Sequence, residues 1–216
     1  AMVEFALAMP FFLAAALGGV ETANLAISNM RVSQMAIHLA DNASRVGDTS
    51  TLENRRVFES DINDVFVGSN LQAGRIDFYA HGRAVISSLE VFDDTVHCLA
   101  AGCTTSANNG DQFISWQRCM GAKNFTPTYG TEGDIRPSGM GPAGEEVTAE
   151  PGDAVIFVEV SYDYQPLVAG LFTSGSVLTS TAAFNVRDSR DLSGLHQRNP
   201  ASPDPVSDCS TFSAYT

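Results

Sequence analysis

The chain opens AMVEFALAMPFFLAAALGGVETANL, and between Glu4 and Glu21 it carries no charged residue. A helix that is apolar all round has to be enclosed, by lipid or by protein. Residues 5–20 rise about 24 Å at about 1.5 Å per residue. A bilayer core of roughly 30 Å takes about 20 residues to cross. Pro10 and the pair Gly18-Gly19 weaken the middle further. A secretory signal would carry a positive n-region, and the first Lys or Arg here is Arg31. A start at Ala rather than Met is what a chain cut from a longer precursor would show.

A helix that first resides in a membrane and then packs against copies of itself gives Glu4 a role. A lone carboxylate at bilayer depth costs about 2.5–3.5 kcal/mol. In a dry bundle it can pair with the amino terminus, at Ala1, of a neighbouring subunit. Such a pair answers the desolvation of both groups and fixes axial register. The plainer alternative is a carboxylate at the positive end of an exposed helix.

The helical pattern continues past Glu21. Leu25, Val32, Leu39 and Val46 recur every seven residues, with Met35 and Ala36 near the same face. Asn24, Asn29, Gln34, Asp41 and Asn42 interleave. This spacing predicts a helix over 1–47 whose second half lies on its own domain, with Arg45 in the last turn and Gly47 ending it.

Residues 48–216 read as one domain. A loop leads to a short helix in ESDINDVFVGSNLQAG, with Asp61 near its start, Ile62, Val65 and Phe66 on one face, and Gly74 as the stop. DINDVFVGSN lacks the spaced acids and terminal Glu of a calcium loop. From Arg75 the period becomes two. Ile76, Phe78 and Ala80 suggest one strand and Ala84, Ile86, Leu89 and Val91 a second, with QFISWQRC a third. Residues 121–153 read as a long surface loop. DAVIFVEVSYDYQPLV is the strongest strand, with Ile156, Val158, Val160 and Tyr162 on one face, and SVLTSTAAFNVRDS is the last. Trp116, Tyr162 and Tyr164 read as core. Strands without intervening helices favour an antiparallel sheet. The fold class is therefore α+β, a long N-terminal helix packed on a C-terminal antiparallel sheet, with an irregular tail from Leu195.

The net charge of −13 leaves no basic patch for nucleic acid. GMGPAG at 139–144 matches a dinucleotide fingerprint but neither follows a strand nor opens a helix. No nucleophile elbow or zinc-protease motif is present, and no enzyme, cofactor or metal is expected. Four cysteines in a chain with a membrane-type segment suggest two disulfides, and three connectivities are open. Cys98 and Cys103 bracket a short turn, while Cys119 ends a strand and Cys209 sits in the tail. That favours Cys98–Cys103 with Cys119–Cys209 over a Cys103–Cys119 bond. A zinc site of His97, Cys98, Cys103 and Cys119 has poor spacing.

VEFALAMP followed by GGVETANL resembles the N-terminus of TadE-like pseudopilins of tight-adherence (Tad) pilus systems, in the type IV pilin superfamily. The blocks QAGRIDFYAHGRAVISSLEV, WQRCMGA, VIFVEVSYDYQPLV and FNVRDSRDLSG resemble larger TadE-like proteins in the same order. The resemblance implies cleavage after a Gly by a prepilin peptidase and a Glu at the fifth mature position. Here that Glu is at position 4, and Glu21 matches a Glu that follows the apolar run. It also implies self-association into an extracellular filament through Ala1, Glu4, Phe5, Pro10 and Glu21. The subunit would be held in the inner membrane beforehand, and other pilin subunits are candidate partners. The competing reading is a monomeric, membrane-anchored envelope protein with an exported β domain.

Overall fold

The computed structural model describes residues 2–48, 54–98, 106–168 and 175–213. Helix α1 runs unbroken over Met2–Arg45, with Pro10 inside it. It is followed by β1 (Arg55–Phe58), α2 (Glu59–Ala73), α3 (Phe78–His81) and β2 (Gly82–Val91). Then come α4 (Asp94–His97), β3 (Gln112–Met120), β4 (Ala154–Asp163), β5 (Val177–Asn185) and β6 (Arg190–His196).

Strands β2 to β5 form one antiparallel sheet in the order β3-β2-β4-β5. The second half of α1 lies across one face. Val32, Met35, Ala36 and Leu39 pack there against Ala84, Ile86, Ile156, Val158, Val160 and Tyr162. Leu25 and Val46, at the ends of the same seam, are half-buried. Helix α2 joins this layer through Ile62, Val65 and Phe66, its first turn closed by the Phe58 N–H donating to Asp61 at 3.1 Å.

The opposite face of the sheet is covered as well. Strands β3 and β4 are not neighbours, and the connection 121–153 returns over the sheet to bury Met140 with Leu89, Ile114, Val155 and Phe157. This connection is thus a second core layer and not only a surface loop. A bulge opposite Ser88/Leu89 lets Trp116 face the helices while Ile114 faces the loop, which a regular two-residue period forbids.

One further expectation is corrected, and one element is new. Residues 76–80 are not a strand: Gly74–Ile76 is a 3-10 turn, Asp77 adopts a left-handed conformation (φ 45°, ψ 57°), and α3 follows. The side chains of Phe78 and Tyr79 are both buried, so alternation fails where the helix begins. The pair β1–β6 is absent from the sequence reading. Its strands run parallel and bring residues 55–58 beside 190–196.

Candidate assembly interface

The first half of α1 is apolar and uncovered. Met2, Phe5, Phe11 and Phe12 are each about two-thirds exposed or more. By length and composition the helix is apolar enough to cross a membrane, and none of its most apolar 18-residue window is buried among the described residues. Glu4, Phe5 and Pro10 lie on this exposed part. Ala1 lies outside the described residues.

Glu21 is placed differently. It is fully buried where α1 meets the domain. Its carboxylate accepts from the Tyr164 hydroxyl at 2.7 Å and from the Leu167 and Val168 backbone N–H groups at 3.0 Å each. The Asn24 side-chain amide donates to the same tyrosine oxygen at 2.6 Å. An acid at the end of an apolar run is a sequence signal, but its partners come from a segment far along the chain. Sequence reasoning gives Tyr164 a place in the core and misses this contact. The result is a fixed junction between the exposed half-helix and its globular head.

The far end of α1 is fastened by Arg190. Its Nη2 donates to the carbonyls of Ala43 and Val46 at 3.1 and 2.9 Å. Those are the acceptors a helix C-terminus leaves open, at the negative end of its dipole. Burial pushes the guanidinium down to about 10. Asp41, one turn earlier, is bridged by Arg45 and Arg187 at 2.8 and 3.0 Å.

The tail is bound to the sheet edge. Cys119 and Cys209 are joined by a disulfide with a Cα–Cα distance of 4.8 Å, which removes Cys119 as a metal ligand. The pairing of Cys98 with Cys103 lies outside the described residues. Beside the disulfide, Arg83 is fully buried and donates to the carbonyls of Gly121, Cys209 and Thr211. The Phe212 ring covers its guanidinium at 4.1 Å. Burial lowers the pKa of Arg83, against the pull of Asp208. Cys209 in the tail is the sequence signal for the covalent part of this latch, and Arg83 inside the buried strand β2 is the signal for the rest. The backbone adds bonds from Cys119 N–H to Ser207 and from Gly121 N–H to Ser213.

Trp116, Tyr162 and Tyr164 are all buried, as core residues should be. Among the described residues no group of His, Cys, Asp and Glu could hold a metal ion.

Residues 1–45 match the model of the TadE-like protein family. The match ends with the last residue of α1. TadE-like proteins are structural pilus components and not an enzyme family. No curated protein and no solved structure matches the chain. An apolar N-terminal helix joined to this family match fits a pilin-like, membrane-anchored or pilus-associated subunit.

Proposed function

We propose that this chain is a structural subunit of an extracellular pilus-like filament, assembled through its N-terminal helix and serving surface attachment. The observation that carries the reading is the contrast within α1. One half is uncovered and apolar, while the other is locked to its own domain by Glu21, Val32, Leu39 and Arg190. An apolar rod held rigidly outside its domain can be lifted from lipid and stacked against other rods without the head unfolding. The subunit waits in the inner membrane and leaves it on assembly, with copies of itself and other pilin subunits as the candidate partners.

Glu4 sets register in this reading by pairing with the amino terminus of a neighbouring subunit. Removing one member of a buried pair costs about 3–5 kcal/mol, so Glu4→Ala should abolish or strongly impair assembly while the head keeps its thermal transition. Glu4→Gln separates charge from shape. Wild-type assembly by both variants would remove Glu4 from the mechanism. A folded, membrane-bound and persistently monomeric full-length chain would favour a plain anchored envelope protein instead.

A further inference from the structure

Where α1 meets the domain, a cavity of about 570 Å³ opens between the helix, the turn before α3 and the end of β4. Asn24, Ile27, Ser28 and Arg31 line it from α1. Asp77 and His81 line it from across, next to a turn that Tyr162 pins to the sheet by donating its hydroxyl to the Ile76 carbonyl at 2.8 Å. Leu167, whose N–H is held by Glu21 at 3.0 Å, also lines it and is 66% exposed. Among the described residues the side chains of Arg31, Asp77 and His81 make no hydrogen bond and no ion pair. In a chain of 25 acidic and 12 basic residues, a guanidinium without a carboxylate is unusual. Seven other basic side chains have one. Asp77 is also the one described non-glycine residue with a positive φ, 45°, a backbone cost of the kind that functional sites retain.

We propose that this cavity holds the headgroup of a zwitterionic phospholipid with a primary amine, phosphatidylethanolamine, while the subunit is in the membrane. Arg31 and His81 donate to the phosphate, and Asp77 accepts from the ammonium. The inference rests on the membrane-resident stage of the proposed function and adds a binding site and the chemistry of its ligand.

Depth selects a lipid as the source. With Glu4 at one face of a hydrocarbon core of roughly 30 Å, the other face lies about 20 residues on, at Asn24. The headgroup layer beyond it is about 5–7 Å thick and ends near Ser28. The helical wall of the cavity from Asn24 to Ser28 spans that layer. Arg31 stands one turn above, where a long side chain reaches back to it. Glu21 and Leu167 then lie just inside the acyl boundary. Glu21 tolerates that place because it is buried and bonded to three donors, while Leu167 offers an apolar side chain to it. Charge selects the headgroup. A net charge of −13 repels an anionic membrane surface, so the phosphate has to bring its own cation. Asp77, in the same cavity as the two bases, receives that cation, and a primary ammonium donates to it where a quaternary one cannot.

The test uses the full-length chain in detergent micelles, titrated with dioctanoyl phosphatidylethanolamine, phosphatidylcholine or phosphatidylglycerol, and with soluble phosphoethanolamine as the free headgroup. Native mass spectrometry counts the lipids retained, and the amide shifts of Asp77 and His81 report where they bind. One phosphatidylethanolamine should be retained per chain, with shifts at both amides, and the other lipids should bind about tenfold more weakly. Arg31→Gln and Asp77→Asn should each weaken retention about tenfold while keeping the parent's thermal transition. The parent's ranking of the lipids decides without any variant. No lipid retained, phosphatidylglycerol retained equally, retention unchanged in either variant, or soluble phosphoethanolamine bound as tightly as the lipid overturns the proposal. Flotation with phosphatidylcholine vesicles, scored in parallel, separates the site from the broader reading. A chain that floats but ranks the lipids equally loses the site and keeps its membrane stage. A chain that does not float yet ranks phosphatidylethanolamine first keeps the headgroup site and loses the membrane stage.

Discussion

The Tyr164 hydroxyl donates to the buried carboxylate of Glu21 at 2.7 Å, across 143 residues of sequence. That bond, with the Leu167 and Val168 N–H groups on the other carboxylate oxygen, turns an acid at the end of an apolar run into a hinge stop. A buried donor that loses its acceptor costs about 1–3 kcal/mol. Glu21→Ala should therefore lower stability by several kcal/mol and speed hydrogen exchange at the Leu167 and Val168 amides. Glu21→Gln keeps the shape but turns one acceptor into a donor, and should fall between. Unchanged exchange at both amides in Glu21→Ala would show that the junction is held by other contacts.

The tail latch combines a covalent and an electrostatic part. The Cys119–Cys209 bond spans 90 residues, for which loop-closure entropy suggests about 4–5 kcal/mol. The double substitution Cys119→Ser, Cys209→Ser should lower the thermal midpoint and expose residues 207–213 to proteolysis. Arg83→Met should loosen the same segment with the disulfide intact, because three backbone carbonyls lose their donor. Equal protease resistance in both variants and the parent would contradict the latch.

His97 gives the head a pH dependence. Its Nε2 lies 2.9 Å from the buried Glu90 carboxylate, which also accepts from Ser88 at 2.6 Å. Burial alone would push the imidazole down. The hydrogen bonds to Glu90 and the Asp93 backbone, with the charge of both acids, outweigh it and leave His97 above its ordinary value. A raised folded-state pKa stabilises fully below the unfolded value of about 6.5. That contribution is lost as pH rises through the folded value. Denaturant midpoints from pH 5 to 9 should show this decline, and His97→Gln should flatten it. A His97→Gln profile parallel to the parent's would remove the pair as the cause.

Much of this architecture is readable in the sequence because it is periodic. The seven-residue recurrence of α1 marks its buried face, and the two-residue alternation of β4 picks out the residues that pack under α1. The failures have local causes. RRVF, the strand β1, is four residues long with two arginines, and its partner lies far along the chain. Asp77 in a left-handed conformation breaks an alternation that Ile76, Phe78 and Ala80 only imitate. Met140 is buried inside a Gly- and Pro-rich stretch that has no period to reveal it. At the interface, Glu21 can be picked out from the apolar run, but its three donors are set by tertiary packing.

In the proposed function, the uncovered half of α1 drives assembly while the head stands apart from it. Deleting residues 2–17 keeps Glu21, Asn24 and every domain contact described for α1, so the comparison isolates the exposed segment. Electron microscopy of the full-length chain, released from membranes at high concentration and cleared of detergent, should show filaments. The shortened chain should remain monomeric with an unaltered thermal transition. Filaments formed equally well by the shortened chain, or a full-length chain that stays monomeric throughout, would show that this half-helix is not what assembles the protein.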